Sequence, residues 1–153
     1  EYYVIALDDT GSSPDYNAII FDRIVPVVPP AAAHRYWRIT SVSIPGANIL
    51  EISELQLFES GFNVNGLATK TSSHAPTEAF ANLFDGNLGT RCYWSNAVAE
   101  SGTNFWIKWD FGPSGAQIDG VKQGGFDTNT RYMEGFTLQW SDDNVVWDTL
   151  GSK

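Results

Sequence analysis

The sequence predicts an all-β fold, an antiparallel β-sandwich, and three observations support this prediction. Charged residues make up only 18% of the chain, which is low for a helical protein and common in β proteins. The 14 glycines and 7 prolines suit many short strands joined by turns. Several segments alternate apolar and polar residues with the period of a strand, and no long helical pattern is present. The 42% hydrophobic content of the 153 residues is enough for one domain with a substantial core and an appendage.

Three regions are expected along the chain. Residues 1–25 contain two strand candidates around a turn-rich stretch, and they form either an N-terminal β arm or the end of a preceding domain. Residues 26–33 are rich in proline and alanine, which is typical of an extended linker. Residues 34–153 are expected to form the sandwich. Because a lone hairpin is only marginally stable in water, the arm must pack on this domain or on a neighbouring chain.

Alternation places the strands of the sandwich. Residues 105–111 alternate cleanly, with the odd-numbered apolar side chains on one face. In residues 49–59 the alternation changes phase, which indicates a β-bulge near Ser53. The lone Cys92 cannot form an internal disulfide and is expected to be buried. Further strands are expected at 35–42, 116–122, 136–140 and 145–150, and a short helix at 77–84.

The loop of residues 83–90 (LFDGNLGT) carries a dense group of side-chain oxygens. Its Asp-Gly pair is first a turn signal, because glycine accepts a positive φ without steric cost. The same spacing gathers oxygens of Asp85, Asn87 and Thr90, and a hard cation such as calcium takes several oxygen ligands. The ligand pattern of an EF-hand is missing. On the residues alone, a plain turn and a cation site both remain open.

Composition argues against several functions. The net charge of −9, from 18 acidic and 9 basic residues, disfavours binding to nucleic acid and to anionic membranes. No apolar run approaches the length of a membrane span, so no membrane insertion is expected. No nucleophile elbow, phosphate loop, zinc spacing or acid/base carboxylate pair can be assembled, so the chain is expected not to be an enzyme.

Several motifs occur in an order that is typical of one family. They are FDGNxxT at 84–90, an aromatic-Trp-Ser triplet at 93–95, FWIKWDFG at 105–112, IDGV at 118–121 and FTLQWSDDNVVW at 136–147. Over residues 65–150 the sequence resembles the discoidin or coagulation-factor C-type domain, a galactose-binding-like family that includes many carbohydrate-binding modules. The resemblance implies a galactose-binding-like jelly-roll sandwich.

The chain departs from the family pattern in two places. The strands RYWRI (35–39) and SELQLF (53–58) come first here, whereas the corresponding strands close the family's domain. This order resembles a circularly permuted form, as in phage tail and virion-surface proteins, and it implies a location on the virion surface or outside the cell. The family's Thr-x-Trp is stretched to TRCYW at 90–94, and the disulfide of animal members is absent.

The resemblance also implies site residues. The structural calcium of the family maps onto Asp85, Asn87 and Thr90, with Glu54 added from the strand. Ligands of this fold bind on loops at one end of the sandwich, where an aromatic face and polar side chains can hold a sugar. The candidate ligand-binding residues are His74, Arg91, Tyr93, Asn129, Arg131 and Tyr132. For His74 an ordinary surface histidine remains the alternative.

Two non-enzymatic functions follow from these expectations. The first is an attachment or adhesion module on a phage virion (tail fibre, tail or capsid surface) that binds a glycan or another cell-surface receptor. The second is a structural virion protein whose N-terminal arm pairs with neighbouring subunits by strand addition, which would make it an oligomer. The loop arginines and tyrosines favour the first function, and the arm and linker favour the second.

Overall fold

The computed structural model of the chain describes residues 18–20, 32–44, 49–95, 104–125 and 131–153. These residues form two antiparallel sheets, which confirms the predicted all-β sandwich. Most of the expected arm and linker, and the candidate residue Asn129, lie outside the described residues. No helix in the described residues is long and apolar enough to cross a membrane.

The described residues contain ten strands and several short 3-10 helical turns. The strands are β1 (Ala18–Ile20), β2 (Tyr36–Ser43), β3 (Ile49–Glu59), β4 (Phe62–Asn63), β5 (Thr69–Ser72), β6 (Cys92–Ser95), β7 (Trp106–Asp110), β8 (Gly120–Gly125), β9 (Gly135–Ser141) and β10 (Asp148–Ser152). The 3-10 turns include Asn65–Leu67, Phe80–Phe84 and Gly112–Ser114.

The two earliest long strands each lie in the interior of a sheet. The first sheet has the order β1-β8-β3-β4, and β6 pairs with another stretch of β3. The second sheet has the order β10-β9-β2-β7-β5. The strand partners of β2 and β3 therefore come from later in the chain. Each of these two strands joins strands of its sheet that are not otherwise paired with one another. The backbone of β1 pairs with β8 at the edge of the first sheet, opposite residues 122–124.

The core lies between the sheets and is rich in aromatic side chains. Trp37, Trp94 and Trp109 are almost completely buried. Each indole N–H finds an acceptor, as buried tryptophans usually do; that of Trp109 donates to Asn65 Oδ1 at 3.0 Å. The side chain of Asn65 also accepts the N–H of Leu57 and donates to the carbonyl of Leu55. This one buried amide therefore ties β3 of the first sheet to β7 of the second.

Two local predictions are confirmed. The register of β3 against β8 shifts between Ile52 and Glu54, which is the bulge expected near Ser53. Because of this bulge, apolar side chains on both sides of it reach the core. Cys92 is fully buried, as expected, and burial raises the pKa of its thiol to about 12.

Three element boundaries were wrong. The helix expected at 77–84 is a 3-10 turn of five residues, Phe80–Phe84, because no side chain caps its start and the Asp85–Gly86 turn ends it. The strand expected at 116–122 begins at Gly120 and runs through Gly125. The return strand expected at 145–150 begins at Asp148, because Asp143 Oδ1 accepts the N–H groups of residues 145 and 146 and holds them in the connection.

Candidate functional site

A cleft of about 190 Å³ brings together three of the six predicted ligand-binding residues. It is lined by Ile49, Glu51, Arg91, Tyr93 and Arg131. Arg91, Tyr93 and Arg131 were predicted from sequence, whereas Glu51 was not. The cleft lies at the beginning of β3, where β6 and the chain after β8 both meet that strand.

Backbone pairing around Glu51 positions the lining residues. Glu51 in β3 lies directly opposite Tyr93 in β6. On its other side, the N–H of Glu51 donates to the carbonyl of Arg131 at 2.7 Å. Arg91 stands just before β6, two residues from Tyr93. Three segments that are distant in sequence are therefore fixed around one strand position, and rigid supports of this kind make a binding site specific.

The carboxylate of Glu51 is the centre of the cleft. Its side chain is only 2% exposed, and each oxygen accepts from a different arginine at 2.8 Å: Oε1 from Arg91 and Oε2 from Arg131. Buried carboxylates are costly unless they are paired and hydrogen-bonded. The two arginines satisfy this requirement, and Glu51 in turn fixes where their guanidinium groups point.

Arg91 connects the cleft to its surroundings. Its Nε donates to Glu78 Oε1 at 2.9 Å, and its guanidinium carbon lies 5.2 Å from the centre of the Tyr93 ring. The hydrogen bonds that Arg91 donates to Glu78 and, next in effect, to Glu51 raise the pKa of Arg91. Glu78 does not line the cleft, but with it the ion-paired network has two carboxylates and two guanidinium groups and is formally neutral, with donors and acceptors held in place beside an aromatic ring. That combination suits an uncharged ligand with several hydroxyl groups and an apolar face.

Of the remaining predicted ligand residues, Asn129 lies outside the described residues, and His74 and Tyr132 are not among the lining residues of this cleft. The ring of His74 packs 6.1 Å from Phe105, its Nδ1 is bonded to the Ser73 hydroxyl at 2.8 Å, and its carbonyl accepts the indole N–H of Trp94. These contacts give His74 a structural role in its loop. Tyr132 is half-buried and is not one of the lining residues.

Sequence reasoning missed Glu51 and Glu78. Glu51 is a charged residue within the apolar run Ile49–Ile52. That interruption is the signal by which it could have been found. Glu78 has no comparable signal, because a half-exposed glutamate in a polar loop is ordinary.

The predicted metal residues lie together beside β3 of the first sheet. Asp85 Oδ1 accepts the N–H of Asn87 at 2.8 Å, and Asp85 Oδ2 accepts the hydroxyl of Thr90 at 2.8 Å. Asn87 Oδ1 accepts the N–H of Gly89 at 2.9 Å. These bonds close the loop on itself, which is the turn chemistry expected of Asx residues.

Glu54 lies against this loop from β3. It is 5% exposed, and its Oε1 accepts the N–H of Gly86 at 2.6 Å. The pKa of Glu54 is raised to about 7, mainly by burial and also by the neighbouring Asp85 carboxyl, against the lowering effect of hydrogen bonds from Gly86 and Gln56. Burial also opposes ionisation of Asp85, but the hydrogen bonds from Asn87 and Thr90 outweigh it and lower the Asp85 pKa.

The donor chemistry of this cluster fits a hard cation. Two neighbouring carboxyl groups, one of them reluctant to ionise, would be stabilised by a divalent charge, and amide and hydroxyl oxygens complete the donor set. Within the described ranges, no group of three or more His, Cys, Asp or Glu side chains is placed to hold a metal. A cation here would therefore depend on neutral oxygens as well as on Glu54 and Asp85.

Packing joins the loop both to the sheet and to the cleft. A Cβ atom added to Gly124 in β8 would lie 2.6 Å from Leu88 Cδ2 and 2.8 Å from Ser53 Oγ, so Gly124 makes room for the loop. The side-chain amide of Asn82 donates to the carbonyl of Arg91 at 2.7 Å.

No model of a known protein family, no curated protein and no solved structure matches this chain.

Proposed function

We propose that this chain is a non-catalytic attachment module that binds an uncharged part of a glycan in the cleft around Glu51. The observation that carries the proposal is the convergence of Arg91, Tyr93 and Arg131 on that buried carboxylate. Sugar hydroxyls would bond donors and acceptors of the ion-paired groups. The apolar face of the sugar would lie against Tyr93 and Ile49.

The ion pairs prepare the cleft for such a ligand. Each arginine is held by Glu51 before binding, so fewer rotamers have to be frozen when the ligand arrives. A ligand that bonds these groups replaces water without disturbing the charge balance. A cleft built to bond hydroxyls discriminates strongly against ligands without them, because its buried polar groups would lose partners.

Calcium belongs to this proposal as a structural cofactor. Glu54 and Asp85 would hold the ion together with oxygens of Asn87 and Thr90. Thr90 directly precedes Arg91, and Asn82 binds the carbonyl of Arg91. Ordering of the loop by calcium would therefore steady Arg91, and glycan binding would become sensitive to calcium.

The proposed setting is the surface of a phage virion, where the module would bind a glycan or another receptor on the cell. This setting rests on the permuted, discoidin-like order of the strands. The alternative is a structural virion protein, and one observation favours it. The backbone of Ala18–Ile20 adds as a strand to the exposed edge of β8, and the same edge could take the corresponding strand of a neighbouring subunit.

A glycan-array screen of the full chain, with calcium and with a chelator, tests the proposal. Specific binding should be lost in Arg131→Ala and in Tyr93→Ala. Arg35→Ala is the matched control, because Arg35 is also a half-exposed arginine in an ion pair, with Asp110 at 2.9 Å, but it is absent from the cleft. A folded protein that binds no glycan, and that forms oligomers through residues 1–25, would support the structural alternative instead.

A further inference from the structure

The outer face of the second sheet carries a polar row that crosses all five strands. Cross-strand partners place the side chains of one row side by side on the same face. In the order β5, β7, β2, β9 and β10, the row is Thr71, Lys108, Arg38, Gln139 and Thr149. At roughly 4.8 Å between strands, it spans about 19 Å.

A second cleft, of about 160 Å³, lies over the middle of this row. It is lined by Arg38, Trp106, Lys108, Asn144 and Trp147. The connection between β9 and β10 brings Asn144 and Trp147 over the sheet. The guanidinium carbon of Arg38 lies 4.0 Å from the centre of the Trp147 ring, and Lys108 Nζ lies 5.0 Å from the centre of the Trp106 ring.

The two cations of this cleft have neutral partners. Arg38 Nε donates to Gln139 Oε1 at 2.7 Å, and Lys108 Nζ donates to Asn144 Oδ1 at 3.0 Å. Among the described residues, neither forms an ion pair with a carboxylate within 4.0 Å. The acid nearest in the same strand, Asp110, is engaged by Arg35 at 2.9 and 3.1 Å.

This arrangement differs from the cleft around Glu51 in its charge. There, two carboxylates balance two arginines, whereas here two cations lie side by side and neither is paired directly with a carboxylate. Asp110 interacts with Lys108 only at longer range and is bound by Arg35. Burial lowers the pKa of Arg38, which is the expected effect of a charge that has lost water without gaining an opposite charge. A negatively charged ligand would supply the directly paired negative charge that Arg38 and Lys108 lack.

We propose that this face is a second binding site, for an acidic oligosaccharide whose carboxylate lies between Arg38 and Lys108. Indole rings are good surfaces for the apolar face of a sugar, and Trp106 and Trp147 each lie beside one of the cations. The hydroxyl and amide groups of the row would bond sugar hydroxyls on both sides. The site shares no residue with the cleft around Glu51, so it stands even if that cleft binds nothing.

A nucleic acid fits the same face less well. Binding along a phosphate backbone calls for a basic stripe or patch. This face offers two cations in a chain of net charge −9. One acidic sugar residue needs no more than that, because a single carboxylate can accept from both side chains.

Calorimetry with the full chain and two probes tests the proposal. The probes are an oligogalacturonate and its fully methyl-esterified form, which keeps the sugar rings but removes the charges. The acid should bind at least about tenfold more tightly than the ester, because a charge-assisted hydrogen bond is lost with each ester. Added salt should weaken the binding of the acid.

Variants assign the binding to this face. Arg38→Gln and Lys108→Gln should each weaken oligogalacturonate binding by about tenfold, while the thermal midpoint reports that each variant folds. Lys122→Gln removes the same charge from the other sheet and should change affinity by less than about twofold, as a screened distant charge would. Arg131→Ala should leave this binding unchanged, which separates it from the proposed glycan cleft.

Four results would overturn the inference. They are no binding of oligogalacturonate, equal binding of acid and ester, unchanged affinity in both Arg38→Gln and Lys108→Gln, and tighter binding of single-stranded oligothymidylate than of oligogalacturonate. The last result would assign the face to nucleic acid.

Discussion

Glu51 and Arg131 are separated by 80 positions in the sequence and are joined twice in the structure. The N–H of Glu51 donates to the carbonyl of Arg131 at 2.7 Å, and Arg131 donates from its guanidinium to Glu51 Oε2 at 2.8 Å. Arg91 binds the other carboxylate oxygen. The same contacts therefore shape the cleft and neutralise a buried charge, so binding and stability are linked at this position.

The first prediction uses this shared carboxylate. Arg131→Ala alone should cost about 1 kcal/mol of unfolding free energy, because Arg91 still compensates Glu51. The double variant Arg91→Ala/Arg131→Ala leaves Glu51 buried without a cation, and a loss of about 3–5 kcal/mol is expected. Urea unfolding followed by tryptophan fluorescence would measure both.

A third substitution is the control. Adding Glu51→Gln to the double variant removes the uncompensated charge and should recover a large part of the lost stability. Additive effects of the two arginine substitutions, with no recovery in the triple variant, would contradict the shared role of Glu51.

Local alternation was sufficient to predict much of the sandwich. In residues 105–111, the odd positions are buried and Trp106, Lys108 and Asp110 face outward. The phase change within β3 correctly located the bulge. These features depend on the period of a strand, which is visible in a few consecutive residues.

Features that depend on distant partners could not be found in this way. The importance of Glu51 comes from Arg131 on a loop beyond β8, and no local pattern connects the two. The strand after β9 was placed too early, because the two valines at 145–146 look like a strand although Asp143 holds their N–H groups in the connection. Those valines are 78% and 66% exposed, contrary to the usual fate of such residues in a sheet.

The second prediction concerns pH and Glu54. Its pKa is raised to about 7 in the folded state, so the folded protein holds a proton that the unfolded chain releases near its ordinary value. The resulting stabilisation is full below the unfolded pKa and is lost as pH rises through about 7. As pH rises from about 5 to about 8, ionisation of Glu54 alone should lower the free energy of unfolding by roughly 2–3 kcal/mol.

Thermal melts of the wild type and Glu54→Gln at several pH values would measure this effect. The variant should lack this part of the pH dependence, since its amide does not titrate. If calcium binds the cluster, adding it at high pH should raise the wild-type midpoint, because the ionised carboxylate is the ligand. The same addition should do little at low pH or to Glu54→Gln, and identical pH profiles for the two proteins would refute the prediction.

The third prediction concerns the packing of the Asp85 loop on Gly124. Gly124→Ala brings a methyl group against Leu88 and Ser53, and overpacking of this kind costs about 1–3 kcal/mol. The loop rather than the core should move, so any stabilisation by calcium should weaken. Gly66→Ala is the matched control, because no atom lies within 4 Å of the added carbon.

Leu88→Ala offers a second check on that prediction. In the pair Gly124→Ala/Leu88→Ala the new methyl no longer meets Leu88 Cδ2, and only the contact with the Ser53 side remains. The double variant should therefore be more stable than the sum of the single effects predicts. Simple additivity would show that the two residues do not compete for space.

The fourth prediction concerns the buried amide of Asn65, which joins the two sheets. Asn65→Leu keeps the size of the side chain but leaves the N–H of Leu57, the indole N–H of Trp109 and the carbonyl of Leu55 without their partner. Unsatisfied buried groups cost about 1–3 kcal/mol each, and partial relaxation should keep the total near 3–5 kcal/mol. Asn63→Leu, at an exposed position two residues earlier, is the control: it removes one hydrogen bond, from the N–H of Asn65 to Asn63 Oδ1, and should cost about 1 kcal/mol. Urea unfolding of both variants would decide: equal losses would mean that Asn65 does not hold the sheets together, whereas a large loss at Asn65 alone would show that one buried side chain couples β3 to β7.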